Sequence, residues 1–335
     1  MSEIHNLKIE KLIYGGNGAG FIARMPVFVP MTVPGDEIEC EIVRKHKGYV
    51  EGRILRIIRP SPNRVVPKCE HFGRCGGCQW QHVAYAAQIL WKQMILEEQL
   101  LRIGKIKEPN VLPTIPSPRA WNYRSRIKLH KDKDGRTGFY AQGTRDLIEI
   151  EDCLIAGAGV KENGFTQVNP SQNENLKELI KLLVKETGVK TVLELYCGSG
   201  NLTFPTMDIV DYIEASDSDR HAIHSAVKLE KQGMGPKFTV ESGKCTLERI
   251  LKEKKQFDCL LVDPPRDGCK DILVGILRFK PPVIIYVSCN PSTLARYVGA
   301  LIQGGYSLKS SQPIDMFPQT YHIESVSVLV AGPNI

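Results

Sequence analysis

Leu193-Glu-Leu-Tyr-Cys-Gly-Ser-Gly-Asn201 decides the fold of the larger part of this 335-residue chain. An apolar run ends in two closely spaced glycines, and a helical pattern follows, so the stretch reads as a strand turning sharply into a helix. Glycines there let the backbone bend and let a ligand approach closely, at the carboxyl edge of a parallel sheet where ligands bind. Working outward, strands are predicted at 191–195, 210–215, 237–241, 257–262 and 282–288, with amphipathic helices between them. A helix over 173–187 carries Leu176, Leu179, Ile180 and Leu183 on one face. Alternation of this kind implies an α/β class domain with a doubly wound, mostly parallel sheet, completed by strands near 306–311 and 322–330.

The loop also points to a ligand. The dinucleotide fingerprint needs a third glycine where this chain has Thr203. Asp217, at the end of the second strand, offers a carboxylate able to accept both hydroxyls of a ribose. Together these favour S-adenosylmethionine over a nicotinamide dinucleotide. A purely structural turn would need the glycines but not the carboxylate.

Two more strand ends fall on the same sheet edge, Asp263-Pro264-Pro265-Arg266 and Ser288-Cys289-Asn290-Pro291. Their side chains are expected to converge on one crevice, with the prolines stiffening the first loop. A cysteine at a strand-to-helix turn can ionise, because a helix N-terminus and a nearby Arg favour the anion. In isolation Cys289 would be read as one more small buried residue.

The N-terminal part reads differently. Leu7, Ile9, Ile38, Cys40 and Ile42 alternate with polar neighbours between Gly-rich and Pro-rich turns, the pattern of a small OB-like β-barrel of five-strand type. Residues 59–63 read as a linker, 84–101 as a helix and Trp121–His130 as a strand. The net charge of +7 sits in one place: residues 61–130 carry 11 basic against 4 acidic side chains, whereas residues 151–335 carry 20 against 22. A localised excess suggests a polyanion partner, and Arg124 and Arg126, on one strand face, are the better contact candidates. Trp80 and Trp91 read as core.

Hydrophobic content of 42% with 24% charged residues excludes wholesale disorder. No span fit for a membrane and no secretory leader are expected. Ten cysteines then suggest reduced thiols, a metal site or a catalytic thiolate, in a cytoplasmic setting, more than a disulfide framework. Cys69, Cys75 and Cys78 form a C-x5-C-x2-C group, with Cys153 far along the chain. Three clustered thiolates and a distant fourth suit an iron–sulfur cluster better than zinc, whose ligands usually come as two close pairs.

Five stretches in order, Phe165-Thr-Gln167-Val-Asn169, Tyr196-Cys-Gly-Ser-Gly-Asn201, Asp263-Pro-Pro-Arg266, Ser288-Cys289-Asn-Pro-Ser-Thr-Leu-Ala295 and Asp315-Met-Phe-Pro-Gln-Thr-Tyr-His-Ile-Glu324-Ser, closely resemble the RNA 5-methyluridine (uracil-C5) methyltransferases. The resemblance implies a Rossmann-like S-adenosylmethionine-dependent domain at 161–335, with a thiolate nucleophile at Cys289 and a general base at Glu324. Gln167, Tyr196, Gly198, Gly200, Asn201, Asp217 and Asp263 would bind the cofactor. It also implies a [4Fe-4S] cluster on Cys69, Cys75, Cys78 and Cys153 in a central RNA-binding region at 61–160, and a TRAM-like barrel at 1–60. The expected partner is RNA, 23S ribosomal RNA first and a tRNA T-loop uridine second, with the chain acting as a monomer.

Two other classes compete. Amino-group methyltransferases also use Asp-Pro-Pro, but they follow it with an aromatic residue where this chain has Arg266, and they need no thiol. A non-catalytic iron–sulfur RNA-binding protein would have no use for Cys289 and Glu324 together.

Overall fold

The computed structural model describes residues 3–161, 167–230 and 235–332. The chain divides into two compact units. One comprises Met1–Ile95, Pro116–Ser171 and Asp315–His322; the other comprises Leu96–Ile115, Gln172–Ile314 and Ile323–Ile335.

The first unit begins with β1 (Ile4–Lys8), β2 (Lys11–Leu12), β3 (Gly18–Ile22), β4 (Met25–Val29), β5 (Glu37–Lys45) and β6 (Val50–Arg59). They form one sheet in the order β1-β5-β6-β4-β3-β2. β1 and β2 are nearly consecutive in sequence yet lie at opposite edges, so the sheet curls until its edges meet. The Glu10 amide donates to the Ala19 carbonyl at 2.8 Å across that closure. β1 and β2 thus act as one interrupted strand, which reconciles six pieces with a five-strand type of barrel. Leu7, Ile9, Val27, Val29, Ile38, Cys40 and Val50 fill it, and their alternation places polar neighbours outside.

Residues 61–64 are not a free linker. Asp36, fully buried, accepts from the Ser61 amide at 2.8 Å and forms a two-pronged ion pair with Arg64 at 2.6 and 3.1 Å. The same unit holds the start of α1 (Tyr85–Arg102) and five short strands, β7 (Arg124–Arg126), β8 (His130–Lys131), β9 (Thr137–Tyr140), β10 (Leu147–Glu149) and β11 (Ala156–Lys161). The single strand expected over Trp121–His130 is therefore broken in two. Asn122 takes a left-handed φ of 52°, and the two pieces pair with different neighbours, β7 with β11 and β8 with β9.

The second unit runs α2 (Pro170–Thr187), whose first two residues belong to the first unit, β12 (Thr191–Leu195), α3 (Thr203–Met207), β13 (Tyr212–Asp217), α4 (Arg220–Leu229) and β14 (Lys237–Val240). It continues with α5 (Gly243–Glu253), β15 (Cys259–Val262), α6 (Leu273–Phe279), β16 (Val283–Ser288), α7 (Pro291–Gln303), β17 (Tyr306–Ile314) and β18 (Glu324–Ala331). The seven strands are ordered β14-β13-β12-β15-β16-β18-β17. β14 to β16 are parallel, and β18 is antiparallel to both neighbours. The chain winds outward in both directions from β12, so the strand order reverses between β12 and β15. That reversal opens a crevice at the carboxyl ends of the strands. β15 and β16 are buried throughout, as continuous apolar runs covered on both faces must be.

Among the described residues, no helix is long and apolar enough to cross a membrane.

Candidate functional site

The loop after β12 is built for close approach. Tyr196, Gly198 and Gly200 all have positive φ, 63°, 54° and 86°. Tyr196 is the costly one, because a side chain rarely adopts that conformation; its hydroxyl donates to Asp271 at 3.2 Å. Asp217, the last residue of β13, accepts from the Gly198 amide at 2.8 Å and from the Asp219 amide at 2.8 Å, one bond to each oxygen. The carboxylate expected to meet a ribose therefore also pins the loop. Asn201 is held by a reciprocal amide pair with Asn173, at 2.8 and 2.9 Å.

Glu194, which the sequence reading passed over, is fully buried in β12. One carboxyl oxygen has no hydrogen-bond partner among the described residues. Burial, aided by the charges of Asp263 and Asp217, pushes its pKa up to about 8. The signal was present in the sequence: a carboxylate one residue before the end of an otherwise apolar strand, directly ahead of the glycine loop.

Strand register explains the second group. β16 and β18 pair antiparallel, with Ser288 opposite Ser325, so the next step of the ladder sets Cys289 against Glu324. β15 lies on the other side of β16 and ends one residue before Asp263. Asn290 caps α7, accepting from the Ser292 and Thr293 amides at 3.1 and 3.3 Å, with Pro291 in the first turn. Cys289 thus stands directly before a helix N-terminus. The Asn290 side chain also donates to the Arg266 carbonyl at 3.4 Å, tying the two loops together.

The electrostatics are those of a crowded acidic site with one cation. Burial and the charge of Glu324 push the Cys289 thiol up to about 11, while the hydrogen-bonded Arg266 pulls it down. Glu324 is buried; desolvation and the charge of Asp263 hold its carboxyl well above the usual range, against Arg266. Desolvation raises Asp263 to about 6. Tyr196, Gly198, Gly200, Asn201, Asp217, Asp263, Cys289 and Glu324 all belong to the second unit. Gln167 belongs to the first, where its carbonyl accepts from the Ser125 hydroxyl at 2.7 Å. Phe165 and Thr166 lie outside the described residues.

The first unit gathers the four expected metal ligands. Cys69, Cys75, Cys78 and Cys153 line one small cavity of about 30 Å³. All ten cysteines of the chain are free thiols. Among the described residues no three His, Cys, Asp or Glu side chains stand close enough together to hold a single metal ion. The thiols ring a space and do not meet at a point. Burial pushes Cys78 up to about 12. Arg124 lines the same cavity, its guanidinium 6.0 Å from the rings of both Tyr123 and Phe317. It is therefore turned inward against the thiols, not displayed on a strand face for RNA. Trp80 is fully buried, as expected of core, and Trp91 is half-buried.

Known proteins fit this arrangement. A family model described as tRNA (Uracil-5-)-methyltransferase matches residues 241–331, the stretch that contains Asp263, Cys289 and Glu324. An uncharacterized RNA methyltransferase of Aquifex aeolicus is 30% identical, with 96% of this chain and 97% of that protein covered. The 23S rRNA (uracil(1939)-C(5))-methyltransferase RlmD of Neisseria lactamica is 26% identical over 99% of this chain and 97% of its own. The Aquifex alignment extends over 423 positions, more than the 335 residues of this chain, so that relative carries insertions that this chain lacks. Among solved structures, the Pyrococcus abyssi tRNA (uracil-54, C5)-methyltransferase in complex with S-adenosyl-L-homocysteine shares the fold. Its TM-score is 0.71 at 23% identity, covering 97% of this chain and 99% of that one.

Proposed function

The chain belongs to the RNA uracil-C5 methyltransferases, and from that premise we propose how its residues carry the reaction. It methylates carbon 5 of a uridine in RNA, with S-adenosylmethionine as the methyl donor. The observation that supports this most is the meeting of Cys289, Glu324, Asp263 and Arg266 on the sheet edge that carries the glycine loop. The left-handed glycines and the Asp217 carboxylate suit a nucleoside cofactor, whose electrophilic methyl group is the chemistry it supplies when bound. Tyr196, Asn201 and Asp263 would complete its site, with Gln167 the further cofactor residue that the motif at residues 165–169 suggests.

Carbon 5 of uracil is a weak nucleophile. Addition of the Cys289 thiolate to carbon 6 pushes electron density to carbon 5, which would then form the new bond to the methyl carbon as the methyl–sulfur bond of the sulfonium donor breaks and its electron pair leaves with the resulting thioether. The proton on carbon 5 must leave next. Glu324 accepts it, and the electron pair released expels the Cys289 sulfur from carbon 6, restoring the ring and the thiolate. A carboxyl with a raised pKa is a stronger base than an ordinary one, as that step requires. Arg266 offers positive charge to the thiolate and to the developing enolate. The target base must be unpaired or flipped to reach the crevice.

Large-subunit ribosomal RNA is the substrate reading, supported by the RlmD relative and by the four cysteines that line one cavity. The tRNA name of the matching family model makes a tRNA uridine the alternative. Cys69, Cys75, Cys78 and Cys153 would hold a [4Fe-4S] cluster that cross-links the segments bearing them, within a TRAM-like barrel and central region of a cytoplasmic, monomeric enzyme. Uracil methylation needs no electron transfer, so the cluster's contribution is to shape. Iron and sulfide analysis of protein purified without oxygen tests it: Cys153→Ser should lose the iron, and an iron-free wild type would end the cluster assignment.

Methyl-labelled cofactor and fractionated total RNA test the activity. Label should appear as 5-methyluridine in one RNA class and vanish in Cys289→Ala. Glu324→Gln should trap a protein–RNA adduct that survives denaturation. Activity that persists in Cys289→Ala would refute the covalent route.

A further inference from the structure

We infer that the first unit carries a subsite for one unpaired nucleobase of the substrate RNA, in the cavity lined by Gly15, Gly76, Gly77, Gln79, Tyr140 and Tyr321. The inference rests on the assignment of the chain as an RNA methyltransferase and adds where part of the RNA is held away from the reacting uridine. The cavity holds about 440 Å³, within the range that takes small organic ligands.

Its walls are prepared for stacking. The half-buried Tyr321 ring is fixed edge-on by Tyr14, with centroids 5.6 Å apart and planes at 85°, and by His322 at 4.4 Å. Tyr140 lies stacked on His130 at 3.9 Å, and 37% of it is exposed. Aromatic rings already held in place lose little freedom when a base stacks on them. Glycines beside these walls let the backbone pack closely against the tyrosines. A Cβ on Gly16 would come within 3.2 Å of the Tyr321 ring, and one on Gly76 within 3.0 Å of the Tyr140 carbonyl.

One polar group in the wall lacks a partner. Gln79 donates its backbone amide to the Gln319 carbonyl at 3.1 Å and its side-chain nitrogen to the Gly76 carbonyl at 2.8 Å. Its Oε1 is buried without a hydrogen bond among the described residues. An unpaired buried acceptor is costly unless a donor arrives, and the amino or imino N–H on the Watson–Crick edge of a base supplies one. The backbone of the exposed Arg74 is tied to the lining residue Gln142, whose amide donates to the Arg74 carbonyl at 3.1 Å, and its cationic side chain is the candidate for an adjoining phosphate. Gly77 lines both this cavity and the thiol-lined one. The turn between Cys75 and Cys78 is therefore a wall with thiols on one side and the base subsite on the other.

Fluorescence anisotropy of the full-length protein with short single-stranded RNA of mixed sequence tests this, together with photo-crosslinking to 5-bromouridine. Gln79→Met and Tyr321→Leu should each weaken binding about tenfold, raise KM for total RNA and leave kcat unchanged; Tyr321→Phe should bind like wild type. Crosslinks should map to Tyr140 or Tyr321. If Tyr321→Leu fails to fold, Gln79→Met and the crosslink map decide. Variants that bind as tightly as a wild type that itself binds and methylates RNA, with crosslinks elsewhere, overturn the subsite and leave the methyltransferase assignment standing. A wild type that neither binds nor methylates RNA overturns both.

Discussion

Cys289 and Glu324 oppose each other in the crevice, because a charge on Glu324 disfavours the Cys289 thiolate. The pH dependence of Cys289 alkylation reads this directly. Its midpoint should lie well above the usual thiol range in the wild type, because burial and Glu324 raise the thiol pKa, and should fall in Glu324→Gln, which removes a neighbouring negative charge. It should rise in Arg266→Leu, which removes the cation that favours the thiolate. Unchanged midpoints would mean that the three groups do not share a site. Glu194 makes a second residue-scale prediction. Its pKa is raised to about 8, so the folded state prefers the neutral carboxyl. The stability this gives is complete below the ordinary carboxyl pKa and is lost as pH rises toward about 8. Glu194→Gln should flatten the fall in thermal stability between pH 5 and 8, by an amount on the order of several kcal/mol. The slope should not vanish, because Asp263 and Glu324 act in the same direction; an identical slope would show that Glu194 is ionised in the native state. Cys289, Asp217 and Asp263 were legible in the sequence because each sits at a strand end, where topology alone gives its direction. The position of Glu194 was legible too, but its burial and the inward turn of Arg124 were not, because burial depends on what packs around a residue and not on where it sits in its strand.

At the scale of elements, the segment Asp315–His322 is held by side chains of α1 and the turn before it. Lys92 and Asp315 form a fully buried ion pair at 2.5 Å. Lys92 also donates to the Phe317 carbonyl at 3.0 Å, and Tyr85 donates to Asp315 at 2.7 Å. Gln88 bonds the Gln319 side chain and accepts from its amide, each at 3.0 Å. Removing one member of a buried pair leaves an uncompensated charge. Lys92→Met should therefore cost about 3–5 kcal/mol in urea unfolding, and Lys92→Met with Asp315→Leu should recover most of it. A single variant as stable as wild type would show that water reaches the pair. The strands of the second unit were readable to within a few residues, since apolar runs between amphipathic helices have one interpretation. The short strands between Arg124 and Lys161 were not, because each is too brief for a period to show. Their partners are fixed by tertiary pairing, as in β7 with β11, beside turns such as that at Asn122.

For the whole molecule, charge and chemistry lie in different stretches of chain. The excess of positive charge falls within residues 61–130, which also hold three of the four cavity cysteines, while the crevice with Cys289 is built from acidic groups. Affinity for RNA should therefore fall steeply with added salt, while affinity for the cofactor, measured by calorimetry without RNA, should change little. Equal salt dependence of the two would place RNA contacts around the cofactor crevice instead. Composition showed that a polyanion partner was plausible. It could not show which face met the partner, since Arg124 faces inward despite its place in the basic segment.

The burial of Asp315–His322 within the unit that begins at the N-terminus has a consequence for biosynthesis. The hydrogen bonds joining Lys92 to Asp315 and Gln88 to Gln319 close loops of 223 and 231 residues. Contacts so distant along the chain form late. While the ribosome is still making the intervening strands, Lys92 has no counter-ion and Trp80 no neighbour in Gln319. The barrel closes on its own local pairings, yet its unit stays unfinished until residue 322 has been synthesised. Nascent chains arrested before Asp315 should be cut readily by protease around α1, and those arrested well beyond His322 should resist.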